Sequence, residues 1–340
     1  MQHRRLGRSS IVVSDICMGT MVFGSQTDEA EAFRILDRSL EAGINFFDTA
    51  ENYPVPPRED YAGRTEEIFG RWMKTQNRDK IILATKVCGP SHGWVVGSQR
   101  AGMTALDRHN ITKAVDASLT RLQTDYIDLY QTHWPDHGTG YEETMETLDE
   151  LVRLGKVRVL GCSNENTWGL MTSLKTSEDL GAARYETIQN NFSLLNTRFM
   201  DDLAFACRKE GVSLIPYSPL AGGVVSGKYL GGATPEGARF SSLINAGGRF
   251  VEMTRRFVNE KSLSATEKVM AIAAEAGMSP VTLATAWSKQ HDFVASTIVG
   301  ASKESQLDDI FAAIDLTLPD DVMKAVRDMT KDKDYAYTQG

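Results

Sequence analysis

The sequence of 340 residues predicts an α/β protein: a (β/α)8 TIM barrel with an N-terminal β-hairpin and a long loop after the seventh strand. Three observations predict it. Short apolar runs alternate with stretches at helical spacing, eight times along the chain. Alternation of this kind builds parallel strands joined by right-handed crossovers. Eight such units at this length close into one barrel domain spanning residues 1–340. The competing arrangement, a doubly wound open sheet, needs a glycine-rich turn after its first strand. Here that turn is Gly19-Thr20-Met21-Val22-Phe23-Gly24, which is not GxGxxG.

The elements follow in order. Arg4–Leu6 and Ile11–Val13 form the hairpin, and Ile16–Gly19 the first barrel strand. Ala30, Phe33, Leu36 and Leu40 share a helix face, ended by Gly43 in the usual place for a left-handed cap. Ile44–Phe47 is the second strand, Thr65–Lys74 a helix and Ile81–Ala84 the third strand. Ile111, Ala114, Val115, Ser118 and Leu122 mark a helix, and Tyr126–Tyr130 the fourth strand. Helical spacing at Met145–Val152, strand Val157–Gly161, helix Trp168–Leu174 and strand Thr187–Gln189 continue the rhythm. Leu203–Cys207 is helical and Ser213–Tyr217 is the seventh strand. Residues 221–263 show no strand and frequent glycine, and lie where barrel enzymes often bind phosphate. Helices at Val269–Ala276 and Val281–Trp287, strand Ser296–Val299 and a helix at Leu307–Ile314 complete the barrel, with residues 315–340 as a C-terminal tail.

The formal charge is −8, from 37 basic and 45 acidic residues. Scattered acidity gives no electrostatic reason to bind nucleic acid or a membrane surface. No apolar stretch approaches the roughly 20 residues of a membrane helix, and no apolar run follows Met1-Gln2-His3-Arg4-Arg5, so no signal peptide is expected. Cys17, Cys88, Cys162 and Cys207 form no CxxC pair and sit in apolar segments. They read as free buried thiols of a cytoplasmic protein, with no structural metal.

Chemistry in a barrel gathers at the C-terminal strand ends. Asp48 ends the second strand with Tyr53 in its proline-stiffened loop, Lys86 ends the third, and His133 ends the fourth. Each alone has an ordinary explanation as a turn residue, a solvated amine or a buried imidazole. Three consecutive strand ends delivering an acid, a phenol, an amine and an imidazole do not. A phenol titrates near 10, and an ammonium beside it should lower that value. An aspartate can hold the ammonium, and an imidazole can orient a carbonyl oxygen. Together they would protonate a developing alkoxide, as carbonyl reduction by hydride requires.

Phe47-Asp48-Thr49-Ala50 with Tyr53, Ala84-Thr85-Lys86 and Gln131-Thr132-His133-Trp134-Pro135 resemble the catalytic tetrad motifs of the aldo-keto reductases. Gly161-Cys162-Ser163-Asn164, Ile188-Gln189-Asn190, Pro216-Tyr217-Ser218-Pro219-Leu220, Gly227-Lys228-Tyr229 and Ile298-Val299-Gly300-Ala301-Ser302 match the family in the same order. Tyr53-Pro54-Val55-Pro56-Pro57 and Leu122-Gln123-Thr124-Asp125-Tyr126 are similar to the Tas-like bacterial branch, near the potassium-channel β-subunit type.

The resemblance implies NADP(H), bound without a Rossmann fold. Tyr217 would stack on the nicotinamide, and Ser163, Asn164 and Gln189 would bond its carboxamide. Gly19, Thr20, Met21, Asp48, Ser218, Pro219, Leu220 and Gly222 would complete the cofactor groove. Lys228 and Arg239 would meet phosphates, Arg239 reading the 2′-phosphate with Lys303 opposite, and Gly300, Ser302, Gln306 and Asp309 would hold the adenosine end. Ile310 stands where relatives often carry Asn. The implied substrate is a small-molecule aldehyde or ketone, in a pocket of Phe23, Tyr53, Trp94, His133 and Trp134, with Tyr335 and Tyr337 of the tail as further walls. This mixture of rings suits a sugar-like or small aromatic carbonyl. The implied activity is NADPH-dependent reduction with Tyr53 as proton donor. The alternative is a slow-turnover NADP(H)-binding, redox-sensing regulatory subunit.

Overall fold

A computed structural model describes residues 1–91, 99–246 and 249–331. Strands β1 (His3–Arg5) and β2 (Val12–Ser14) pair antiparallel as the expected hairpin. The barrel strands are β3 (Ile16–Gly19), β4 (Phe46–Asp48), β5 (Ile82–Val87), β6 (Ile127–Thr132), β7 (Val157–Ser163), β8 (Tyr185–Gln189), β9 (Ser213–Leu214) and β10 (Thr297–Gly300). All neighbours are parallel, in the order β10-β3-β4-β5-β6-β7-β8-β9. The sheet closes on itself through main-chain bonds: Leu214 N to Phe293 O (2.7 Å), Ala295 N to Leu214 O (2.9 Å) and Ile298 N to Pro216 O (2.9 Å). A (β/α)8 barrel with an N-terminal hairpin is what the sequence predicted.

Helices α1 (Glu29–Glu41), α2 (Arg64–Met73), α3 (Arg108–Leu122), α4 (Tyr141–Arg153), α5 (Thr167–Leu180) and α6 (Leu203–Glu210) alternate with the strands. Asp28 caps α1 by accepting from Glu31 N, and Gly43, at φ +93°, turns the chain into β4. The segment after β9 is not structureless. It carries α7 (Arg239–Ala246), α8 (Arg249–Arg255) and the start of α9 (Glu260–Glu275), the last opened by a capping box between Asn259 and Ser262. Helices α10 (Pro280–Lys289), α11 (Leu307–Phe311) and α12 (Asp320–Thr330) follow. Helix α12 replaces the expected tail, laying Val326, Val322, Met323 and Met329 against the core.

Two apolar layers result. One fills the space between the sheet and the helices. The other lies inside the barrel and joins Cys17, Phe46, Ala84, Leu129, Ile215 and Ile298 to Leu6, Ile11 and Val13 of the hairpin, which seals one end. All four cysteines are buried and unpaired. Among the described residues no single helix is long and apolar enough to cross a membrane.

Candidate active site

Side chains alternate faces along a strand, so the residue two beyond an inward one also points inward. Phe46, Ala84 and Leu129 point into the barrel. Two residues on stand Asp48, Lys86 and Gln131, one layer nearer the open end. Apolar floor and polar site are therefore consecutive layers of the same strands.

Lys86 is fully buried. Its Nζ donates to Asp48 Oδ2 (2.6 Å) and Thr49 O (2.7 Å), and reaches the Tyr53 hydroxyl at 3.4 Å. The other carboxylate oxygen, Asp48 Oδ1, accepts from Gln189 Nε2 (2.8 Å) and Gln131 Nε2 (3.2 Å), and Gln189 Nε2 also reaches Gln131 Oε1 (3.2 Å). The Tyr53 ring meets His133 edge-on at 5.7 Å, and His133 tilts against Trp134 at 4.7 Å. His133 lies one residue past β6, its backbone N–H bonded to Val87 O (2.9 Å), and its Nδ1 is buried with no partner among the described residues. The structure thus brings Asp48, Tyr53, Lys86 and His133 together.

The electrostatics differ from the sequence expectation at Tyr53. Burial pushes the phenol upward, and this outweighs the lowering by Lys86. Tyr53 is held in its protonated form, ready to donate. Burial alone would lower Lys86, but Asp48 and Tyr53 reverse the direction and keep it an ammonium. Burial, with Lys86 adding, holds His133 well below the usual histidine range, so its ring is neutral at pH 7.

The remaining expected residues fall as follows. Thr20 donates both its N–H and its hydroxyl to Asp48 O at 3.0 Å, and Met21 O accepts from Val55 N. Gly19 pairs with Gly300 across the sheet; a Cβ on Gly300 would meet only Gly19 O, at 3.8 Å, whereas one on Gly19 would meet Ile298 at 2.8 Å. Ser163 Oγ donates to Gln189 O (2.7 Å), while Asn164 Nδ2 donates to His133 O (2.8 Å) and its Oδ1 accepts from the Tyr217 hydroxyl (2.7 Å). Ser218 adopts φ +55° and its carbonyl accepts from Ala221 N; Pro219 is buried and Leu220 half-buried. Gly222, at φ +69°, leaves room for the Phe240 ring. Gln306 Oε1 accepts from Ser302 N (2.8 Å) and Lys303 N (3.4 Å), and Asp309 is exposed beside them.

Arg239 opens α7. Its charge works against the burial that raises Tyr53, and adds to the burial that lowers Lys228. Phe23 departs from the expectation: it is fully buried in the core, packed inside the β3–α1 turn, and does not line the open end. Trp94, Tyr335 and Tyr337 lie outside the described residues.

Sequence reasoning passed over three participants. Gln131 is quoted in a motif but given no role; the signal is an amide two residues past inward-facing Leu129 in a fully buried strand. Glu51 and Arg100 form a buried pair, with Nη1–Oε2 at 2.7 Å and Nη2–Oε1 at 2.8 Å, next to the Tyr53 loop. Glu51 also accepts from Cys88 N (2.7 Å), and its carbonyl accepts from Gln99 Nε2.

The donor set fits a nicotinamide dinucleotide. Lys228 and Arg239 place two positive charges near each other, an arrangement that an anionic phosphate would relieve, and Gly300 gives a ligand close access to the backbone. Among the described residues no group of three His, Cys, Asp or Glu is placed to hold a metal ion.

A family model described as the aldo/keto reductase family matches residues 15–331. The chain is 41% identical over 344 residues to protein Tas of Escherichia coli strain K12, covering 96% of each. It is 35% identical to the uncharacterized oxidoreductase YrpG of Bacillus subtilis strain 168, covering 97% of this chain and 96% of the relative. It is 31% identical to a probable voltage-gated potassium channel subunit beta of rice, covering 93% and 92%. With a matching barrel, and a matching model across nearly its whole length, this chain belongs to the aldo/keto reductase family and is an oxidoreductase.

Proposed function

We propose that the protein is an NADPH-dependent reductase of aldehydes or ketones. The observation that carries this reading is Lys86 Nζ, held between the Asp48 carboxylate and the Tyr53 hydroxyl in a site closed from below. NADPH, when bound, supplies the hydride. Tyr53 donates the proton to the carbonyl oxygen as it becomes an alkoxide. Lys86 stabilises the phenolate left behind, and Asp48 keeps Lys86 charged and aimed. Neutral His133 presents a ring nitrogen to the same oxygen without competing for the proton. Ser163, Asn164, Gln189 and Tyr217 would hold the nicotinamide end, Lys228 and Arg239 the phosphates, and Gly300, Ser302, Lys303, Gln306 and Asp309 the adenosine end. His133 and Trp134, half-buried rings at the open end, suit a sugar-like or small aromatic carbonyl.

The second reading is a slow-turnover, NADP(H)-binding, redox-sensing subunit, favoured by the similarity to a protein named as a channel β subunit. A panel of aldehydes and ketones, with NADPH oxidation followed by absorbance, separates the two. Turnover of several per second on one class supports the reductase. Tight NADPH binding with less than about one turnover per minute on every carbonyl supports the regulatory subunit.

A further inference from the structure

Asp48 is held from two sides. Lys86 donates to Oδ2; Gln131 and Gln189 donate to Oδ1. These side chains come from β4, β5, β6 and β8, and all four are nearly or wholly buried. A carboxylate only accepts hydrogen bonds. The amide atom that Gln189 turns toward Asp48 must therefore be its nitrogen, and the same holds for Gln131. Gln131 Oε1 is then left facing Gln189, where it accepts from the same Nε2. The polarity of the whole chain is set from one end. Its last free atom is Gln189 Oε1, which no donor reaches among the described residues.

We infer that Asp48 is the positioning residue for the cofactor's carboxamide: by fixing the Gln131–Gln189 amide chain, it obliges Gln189 to present an acceptor toward the open end. One carboxylate thereby serves both the proton site and the hydride-donor site. The inference rests on the proposed NADP(H) reading. A ligand meeting Gln189 must bring an N–H donor, which a carboxamide does and an acetyl group does not.

The chemistry of the chain predicts what Asp48→Asn does. Lys86 requires the oxygen of the substituted amide, so the new amide nitrogen faces Gln131 and Gln189. Both glutamines must turn to offer oxygen inward, Gln131 Nε2 then donates to Gln189 Oε1, and Gln189 shows a donor to the open end. Gln131→Met removes one link but leaves Asp48 to hold Gln189 unchanged.

The test is equilibrium binding, by quenching of tryptophan fluorescence, of NADPH and of its reduced 3-acetylpyridine analogue, in which an acetyl group replaces the carboxamide. Wild type is expected to bind NADPH roughly ten- to a hundredfold more tightly, the worth of a hydrogen bond whose loss leaves a buried acceptor unpaired. Gln131→Met should keep that ratio, and Asp48→Asn should bring it to within about threefold of one. A purely structural role for Asp48 would weaken both ligands together and keep the ratio, which overturns the inference. A wild-type ratio near one overturns it too, even if Asp48→Asn does not fold, while leaving the reductase reading intact. Failure of wild type to bind either cofactor overturns the inference and the reading together.

Discussion

Glu51 and Arg100 face each other in two parallel hydrogen bonds, of 2.7 and 2.8 Å, with the carboxylate fully buried. The pair ties the loop that carries Tyr53 to the segment after β5. That segment bends sharply: Arg100, Ala101 and Gly102 all have positive φ. Arg100 Nε also holds Asn110 Oδ1 at 2.8 Å. Removing the guanidinium leaves an uncompensated buried charge, which typically costs about 3–5 kcal/mol. Arg100→Met should therefore lower unfolding stability by about that amount in urea titration, and Arg100→Lys by visibly less.

Tyr53→Phe tests the proton donor. The phenyl ring can keep its edge contact with His133, so binding of NADPH should change less than twofold. Carbonyl reduction should fall by about 10²–10⁴-fold, the usual loss when a general acid is removed. A variant retaining half of wild-type turnover would remove Tyr53 from the mechanism.

Cofactor choice separates two cations. Lys303 is exposed at the proposed adenosine end, so Lys303→Ala should weaken NADPH about tenfold and leave NADH within twofold, the worth of one charge-assisted contact. Arg239 acts on Lys228 and Tyr53. Arg239→Ala should weaken both cofactors by similar factors. Titration of each variant with each cofactor reads both outcomes, and a selective loss of NADPH in Arg239→Ala would assign the 2′-phosphate to that residue, as the sequence led us to expect.

Stability should depend on pH through His291. Burial holds it down to about 4 from 6.5. Between those values the unfolded chain takes up a proton that the folded chain does not, so stability rises with pH there and is lost as pH falls from about 6.5 toward 4. The full loss is on the order of 3 kcal/mol. His133, also lowered, acts in the same direction. His291 lies parallel to Phe293 at 5.1 Å and edge-on to Trp287, so Phe suits the same space. His291→Phe should flatten the slope of stability against pH over this range in thermal melts.

Gly222 tests the segment after β9. At φ +69° an L side chain is strained, and a Cβ would come within 2.6 Å of the Phe240 ring. Gly222→Ala should displace Phe240 and its neighbour Arg239, weakening NADPH severalfold in titration and lowering the melting temperature by a few degrees.

The barrel was legible because its strands are short apolar runs and its helices keep one apolar face. Phe46–Asp48 and Ile82–Val87 also announced their polar ends, since an acid or amine closing a buried run has few structural reasons to be there. Helices α7 and α8 were hidden by the surrounding glycines, which signal loops locally although Arg239–Ala246 between them is helical. Helix α12 was missed because few of its side chains are buried deeply enough to stand out in a charged segment. The Glu51–Arg100 pair spans 49 positions and leaves no local pattern. The direction of the Tyr53 shift depends on desolvation, which only the packed site determines.

The hairpin of β1 and β2 makes the barrel a vessel with a floor. Leu6, Ile11 and Val13 stopper one end, fastened by Gly7 N to Ser213 Oγ (2.9 Å) and Arg8 N to Glu186 Oε2 (2.7 Å). No water column can rise through that apolar layer to Lys86. On the role proposed for Tyr53, the phenolate left by one turnover must be refilled from above, through the same opening by which the alcohol departs. Recharging of the acid is thus queued behind product exit, and the two share a single doorway.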